Sequence, residues 1–107
     1  MTVQFNTDHN IRGGEELRDQ MTAQITEGLD HYSSHITRIE AHLTDEDGNK
    51  NGGNDKRCVL EARVEGRQPV AVTNHANNHE DAVSGAIDKL SAMLETILGK
   101  AGNHRGN

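Results

Sequence analysis

The stretch NNHEDAVSGAIDKLSAMLETIL, residues 77–98, decides the fold. Its apolar positions, Val83, Ala86, Ile87, Leu90, Leu94, Ile97 and Leu98, recur at three- and four-residue spacing, which lines one face of an α-helix. Asn78 stands where an N-cap belongs, with Asp81 three positions on. Glu80 and Asp81 place negative charge in the first turn, where backbone N–H groups lack partners. Gly99 and Gly102 are read as the stop, which puts Lys100 just beyond the helix. A helix apolar on one side must cover something, and alternating runs upstream supply a sheet.

Working back along the chain, VAVTNHA (70–76) turns Val70 and Val72 to one side. Pro69 is tolerated there only at an edge or a first position. RCVLEARVEG (57–66) sets Cys58, Leu60, Ala62 and Val64 against Arg57, Glu61, Arg63 and Glu65. ITRIEAHLTDE (36–46) sets Ile39, Ala41 and Leu43 against Arg38, Glu40 and His42. TVQFN (2–6) offers Val3 and Phe5. Between the first two strands, residues 15–32 change period. Leu17, Met21, Ile25, Leu29 and Tyr32 form a second helical stripe, weakened at its end by Gly28. The order is β-α-β-β-β-α, an α+β fold in which two helices cover one face of a four-stranded sheet. Three consecutive strands with short connections imply an antiparallel meander, and a helical crossover lets the first strand pair parallel. The expected core sets Val3, Phe5, Leu43, Leu60, Val64 and Val72 beneath Leu17, Ile25, Ile87, Leu90 and Leu94.

With 107 residues the chain suits one domain, taken as 1–100 with a flexible tail at 101–107. Only 32% of residues are hydrophobic and 2% aromatic, so the core is aliphatic. No apolar run reaches the length of a membrane span. The lone Cys58 makes no internal disulfide, which fits a reducing cytoplasm. A net charge of −6 disfavours a bulk electrostatic grip on nucleic acid but leaves room for a local basic patch.

Motifs for chemistry are thin. DEDGNKNGGND (45–55) has the carboxylates and amides of a calcium loop but lacks the closing bidentate Glu and the flanking helices. A solvated hairpin loop is the plainer reading. The pairs His31/His35 and His75/His79 have four-residue spacing, yet each straddles an element boundary and no four-ligand set completes either. Cys58 occupies an apolar-facing strand position. No nucleophile elbow, phosphate loop or metalloprotease motif occurs, so neither catalytic residues nor a cofactor or metal is expected. The cations are more informative. Arg38, Arg57 and Arg63 share the outward parity of the sheet, with Lys56 and Arg67 at adjoining turns. Guanidinium groups there suit phosphate. Glu40, Glu61 and Glu65 share that face, so cross-strand ion pairs explain it equally well.

QFNTDHNI, ITRIEAHL, NDKRCVLEARVEGRQPVAVT and AVSGAIDKLSAML together resemble the ribosome hibernation-promoting and ribosome-associated inhibitor family, also called sigma-modulation proteins. The resemblance runs to about Lys100. It implies a sheet-and-two-helix fold similar to a double-stranded RNA-binding domain. It also implies binding to the small ribosomal subunit, to 16S rRNA and ribosomal proteins, in the channel for messenger and transfer RNA. Translation in stressed or resting cells would be blocked. Short members consist of this domain alone, which implies a monomer without enzymatic activity or small-molecule substrate. Lys89 matches a Lys of the family pattern and Lys100 falls near another. The RNA contacts expected are therefore Lys89 and Lys100, then Lys56, Arg57, Arg63 and Arg67. Ala92, Thr96, Gln24 and Glu27 stand where the family commonly carries basic residues. An alternative on the same fold is a protein-binding module that uses an acidic helix surface.

Overall fold

The computed structural model describes residues 1–8, 14–46 and 55–102, with backbone alone from residue 100. The elements are β1 (Thr2–Thr7), α1 (Gly14–Gly28), β2 (Ile36–Asp45), β3 (Lys56–Val64), β4 (Val70–Ala76) and α2 (His79–Gly102), with a 3-10 turn at Asp30–Tyr32. The sheet order is β1-β2-β3-β4. β1 runs parallel to β2, and the β2–β3 and β3–β4 pairs are antiparallel. Both helices lie on one face, as an alternating, one-side-apolar sheet requires.

The core is aliphatic. Ile25, Leu29, Ile39, Leu43, Leu60, Leu90, Leu94, Val83 and Cys58 are its largest fully enclosed side chains. Phe5, Val64, Val72 and Ile87 are buried with them, whereas Val3 and Leu17 are only half-buried at the margin. Burial in this apolar layer pushes the Cys58 thiol up to about 12, so it packs rather than reacts.

Two glycines set how closely neighbouring elements approach. A Cβ on Gly28 would come within 2.7 Å of Ile87 Cγ2, so this position lets α1 lie against α2. A Cβ on Gly85 would collide with the Asn74 amide. That amide sits under the first turns of α2 and donates to the carbonyls of Asp81 and Ala82, at 3.3 and 3.2 Å.

The α2 start follows the sequence reading. Asn78 Oδ1 accepts from the Asp81 N–H at 2.8 Å, and Asn78 Nδ2 donates back to Asp81 Oδ2 at 3.2 Å. Both helix ends and the start of β2 differ from that reading. α2 runs through Gly99 to Gly102, so the Lys100 backbone belongs to the helix rather than lying beyond it. Gly99 does not adopt the left-handed conformation that would cap the helix, and a helical Gly only weakens the turn by about 1 kcal/mol. α1 ends at Gly28 rather than at Tyr32, and the chain tightens into the 3-10 turn, with the Tyr32 N–H donating to the Leu29 carbonyl at 2.9 Å. A β-bulge between Ile36 and Arg38 gives both Thr37 and Arg38 the outward side and returns Ile36 to the core.

Candidate nucleic-acid interface

The helix-covered layer leaves two surfaces for a partner: the outer sides of α1 and α2, and the open face of the sheet. They differ in charge. Exposed on the helices are Glu15, Glu16, Asp19, Glu27, Glu80, Asp81, Asp88 and Glu95, against Arg18 and Lys89. A phosphate-rich partner would meet repulsion there. Two of the residues that stand where the resembled family commonly carries basic side chains are tied to backbone. Gln24 Nε2 donates to the Glu80 carbonyl at 3.3 Å, and Thr96 Oγ1 donates to the Ala92 carbonyl at 3.1 Å. The Tyr32 hydroxyl donates to Glu95 Oε1 at 2.7 Å, which raises the tyrosine pKa and ties the end of the α1 segment to α2.

On the open face, strand pairing sets side chains in rows. Arg38 lies opposite Arg63, Glu40 opposite Glu61, His42 opposite Val59 and Thr44 opposite Arg57. β4 adds Ala71, Thr73 and His75 to the last three of these rows in turn, and β1 adds Thr2, Gln4 and Asn6 beside Arg38, Glu40 and His42. Arg38 Nε donates to Glu40 Oε2 at 3.0 Å, and its Nη2 reaches Gln4 Oε1. Arg57 Nη1 is 3.4 Å from Glu46 Oε2, and His75 Nε2 is 3.5 Å from Glu46 Oε1.

The expected contact residues divide accordingly. Arg63 and Arg67 are exposed and make no side-chain hydrogen bond or ion pair among the described residues. Arg57 is engaged with Glu46. Lys89 is exposed, but its Nζ donates to the Thr73 carbonyl on the outer strand β4 at 2.8 Å, which leaves two of its three N–H groups. The Lys100 side chain lies outside the described residues. Lys56 is not at a turn. As the first residue of β3 it carries the inward parity of Cys58, and its Nζ bridges Asp55 Oδ2 at 3.0 Å and Asp45 Oδ2 at 3.5 Å. Both carboxylates are buried, so this ammonium neutralises charge under the helix layer. The pairing, led by the Lys56–Asp55 hydrogen bond, lowers the Asp55 pKa and raises that of Lys56.

The cluster also touches the first turn of α2. His79 Nε2 is enclosed without a hydrogen-bond partner among the described residues. Burial, and then the nearby Lys56 charge, lower the His79 pKa, with Asp45 and Asp55 pulling the other way. Asp45 and Asp55 bound the polar hairpin read as a loop, and residues 47–54 lie outside the described residues. Among the described residues no group of three or more His, Cys, Asp or Glu is arranged to hold a metal ion. No helix there is long and apolar enough to cross a membrane.

Arg38 did not figure among the expected contacts, although its outward parity was legible. Its position opposite Arg63 depends on the hairpin register and the bulge, and neither can be read from alternation alone.

No curated protein matches the sequence. Among solved structures, the N-terminal domain of Protein Y from Thermus thermophilus superposes with a TM-score of 0.69 at 18% identity, covering 91% of this chain and 99% of that one. A ribosomal subunit interface protein from Coxiella burnetii superposes with a TM-score of 0.74 at 13% identity, covering 92% and 99%. At such identities these likenesses establish the fold. Sequence carries the family: the model described as sigma 54 modulation protein / S30EA ribosomal protein matches residues 6–101. With that match spanning nearly all of a β-α-β-β-β-α chain, the protein belongs to the sigma 54 modulation protein / S30EA ribosomal protein family.

Proposed function

We propose that the chain is a ribosome-associated factor that occupies the small-subunit channel for messenger and transfer RNA and so blocks translation under stress. The family match over residues 6–101 is the observation that carries this reading. The mechanism is steric, and its chemistry is phosphate contact by side chains that are not otherwise engaged. Arg63 and Arg67, at the β3–β4 turn end of the sheet, meet that requirement best. Lys89 contributes from the neighbouring β4 edge, whereas Lys56 is committed to its two carboxylates. The resemblance ranks Lys89 and Lys100 first; the pattern of engaged and unengaged cations ranks Arg63 and Arg67 first.

Sedimentation with purified small subunits tests the proposal. The protein should co-sediment at low salt. Reversing Arg63 and Arg67 together should weaken binding by about tenfold or more and lower the salt slope by about two, one unit per lost phosphate contact. Protein that stays at the top of the gradient at low and moderate salt refutes ribosome association. A larger loss from Lys89→Glu than from the arginine pair moves the contact to the helices. The exposed carboxylates of α1 and α2 favour a second reading, in which the helix layer meets a basic protein surface instead of RNA.

A further inference from the structure

The open face of the sheet carries like charges in register. Arg38 faces Arg63 across the β2–β3 pair, and in the adjacent row Glu40 faces Glu61. Like charges directly opposite on one sheet face destabilise the pair. Only part of this is relieved within the chain: Arg38 reaches Glu40 and Gln4, while Arg63 and Glu61 make no ion pair among the described residues. The result is a positive band and a negative band, side by side, crossing the two central strands.

We infer that this face is a self-association surface whose occupant is a second copy of the same chain. A two-fold axis lying in the plane between two such sheets, across the strands and between the two bands, sets β2 over β2 and β3 over β3 in opposite directions. Arg38 of one copy then faces Glu40 of the other, and Arg63 faces Glu61. Each repulsive pair within a sheet gains two opposite charges across the interface. The same operation is isologous and closes at two copies.

The flanking residues allow close approach. Thr2 and Gln4 extend the two bands onto β1, Ala71 extends the negative band onto β4, and Val59 lies in the next row. None of these adds charge. Four strands at about 4.8 Å spacing and about eight residues of length give roughly 500 Å² per copy. This total is at the low end of specific interfaces, so the dimer is weak, concentration-dependent and salt-sensitive. The inference does not rest on the ribosome reading, and it is tested without ribosomes.

Sedimentation velocity on nuclease-treated protein should show the weight-average mass rising with concentration at low salt and falling back toward the monomer at high salt. Arg38→Glu with Arg63→Glu, and separately Glu40→Arg with Glu61→Arg, should each weaken association by about tenfold or more, because every cross-interface pair becomes repulsive. An equimolar mixture of the two double variants should restore it, since the reversed bands are again complementary. Circular dichroism checks that each variant folds, and the milder pair Arg38→Gln with Arg63→Gln should weaken association if a reversal fails to fold. A wild-type mass that stays monomeric at every concentration overturns the inference. So does association untouched by both reversals, or a mixture that fails to recover it. Assembly that appears only when RNA is added back assigns the face to nucleic acid instead.

Discussion

The Asn74 amide is a small group with a large structural share. It joins the interior side of β4 to two carbonyls in the first turns of α2, and Gly85 is the residue that makes room for it. Gly85→Ala should cost about 1–3 kcal/mol by urea denaturation, because the new methyl meets that amide. Asn74→Ala alone should also destabilise, by loss of its hydrogen bonds to the Asp81 carbonyl and the partly buried Ala82 carbonyl. The double variant should cost less than the sum, since the collision disappears with the amide. Additive costs would mean that the Gly85 effect does not arise from the contact with that amide. A second residue-scale effect concerns His79. Its folded pKa lies below the ordinary value of 6.5, so between those two values the unfolded chain binds more protons. Stability contributed by neutral His79 is therefore present above about pH 6.5 and is lost as pH falls toward the folded value. Asp55, lowered from 3.8, adds a further loss at more acid pH, and Lys56, raised from 10.5, holds its contribution until strongly alkaline pH. Thermal melts from pH 7.5 to 5 should decline, and His79→Gln should flatten that decline. An unchanged slope in the variant would assign the acid sensitivity elsewhere.

At the scale of elements, α2 holds the molecule together. Leu90 and Leu94 are fully enclosed and Ile87 nearly so, over β3 and β4 and beside α1. Leu90→Ala should cost about 2–5 kcal/mol through lost burial and the cavity left behind, read as a lower denaturant midpoint at unchanged slope. A midpoint that does not move would mean that the helix is not the cover of the core. These features were legible in sequence, because the 3.6-residue stripe, the Asn78–Asp81 cap and the two-residue alternation of β2, β3 and β4 are local patterns. The end of α1 was not. Leu29 and Tyr32 continue the stripe in phase, and the close approach of Gly28 to Ile87 is a tertiary fact. Lys56 was misplaced for a related reason. Its side is set by where pairing with Asp45 and Ala76 begins, and the polar residues before it do not show that point.

For the whole molecule, charge is distributed by layer. The helix side is acidic and the sheet side mixed, so an overall charge of −6 says little about either surface. That division could not be seen along the sequence, where acids and arginines alternate. It became readable once strand parity and register had sorted them into faces. It also explains why, among the described residues, the cations expected to meet RNA do not lie in one patch. They are split among a buried cluster, a β4 edge, an ion-paired row and an unengaged turn end, with the Lys100 side chain outside the described residues.

The parallel pairing of β1 has a consequence for the order of synthesis. Thr2 pairs with Arg38 and Thr7 with Leu43, so β1, made before β2, has no seat in the sheet until β2 has followed it. Until then α1 is the only element formed from local contacts, and a half-apolar strand must wait in solvent. In arrested nascent chains, residues 2–7 should be open to protease when synthesis stops before β2 and protected once β2 and β3 have both emerged. Protection at the shorter length would mean that β1 first docks on α1 and reaches the sheet already placed.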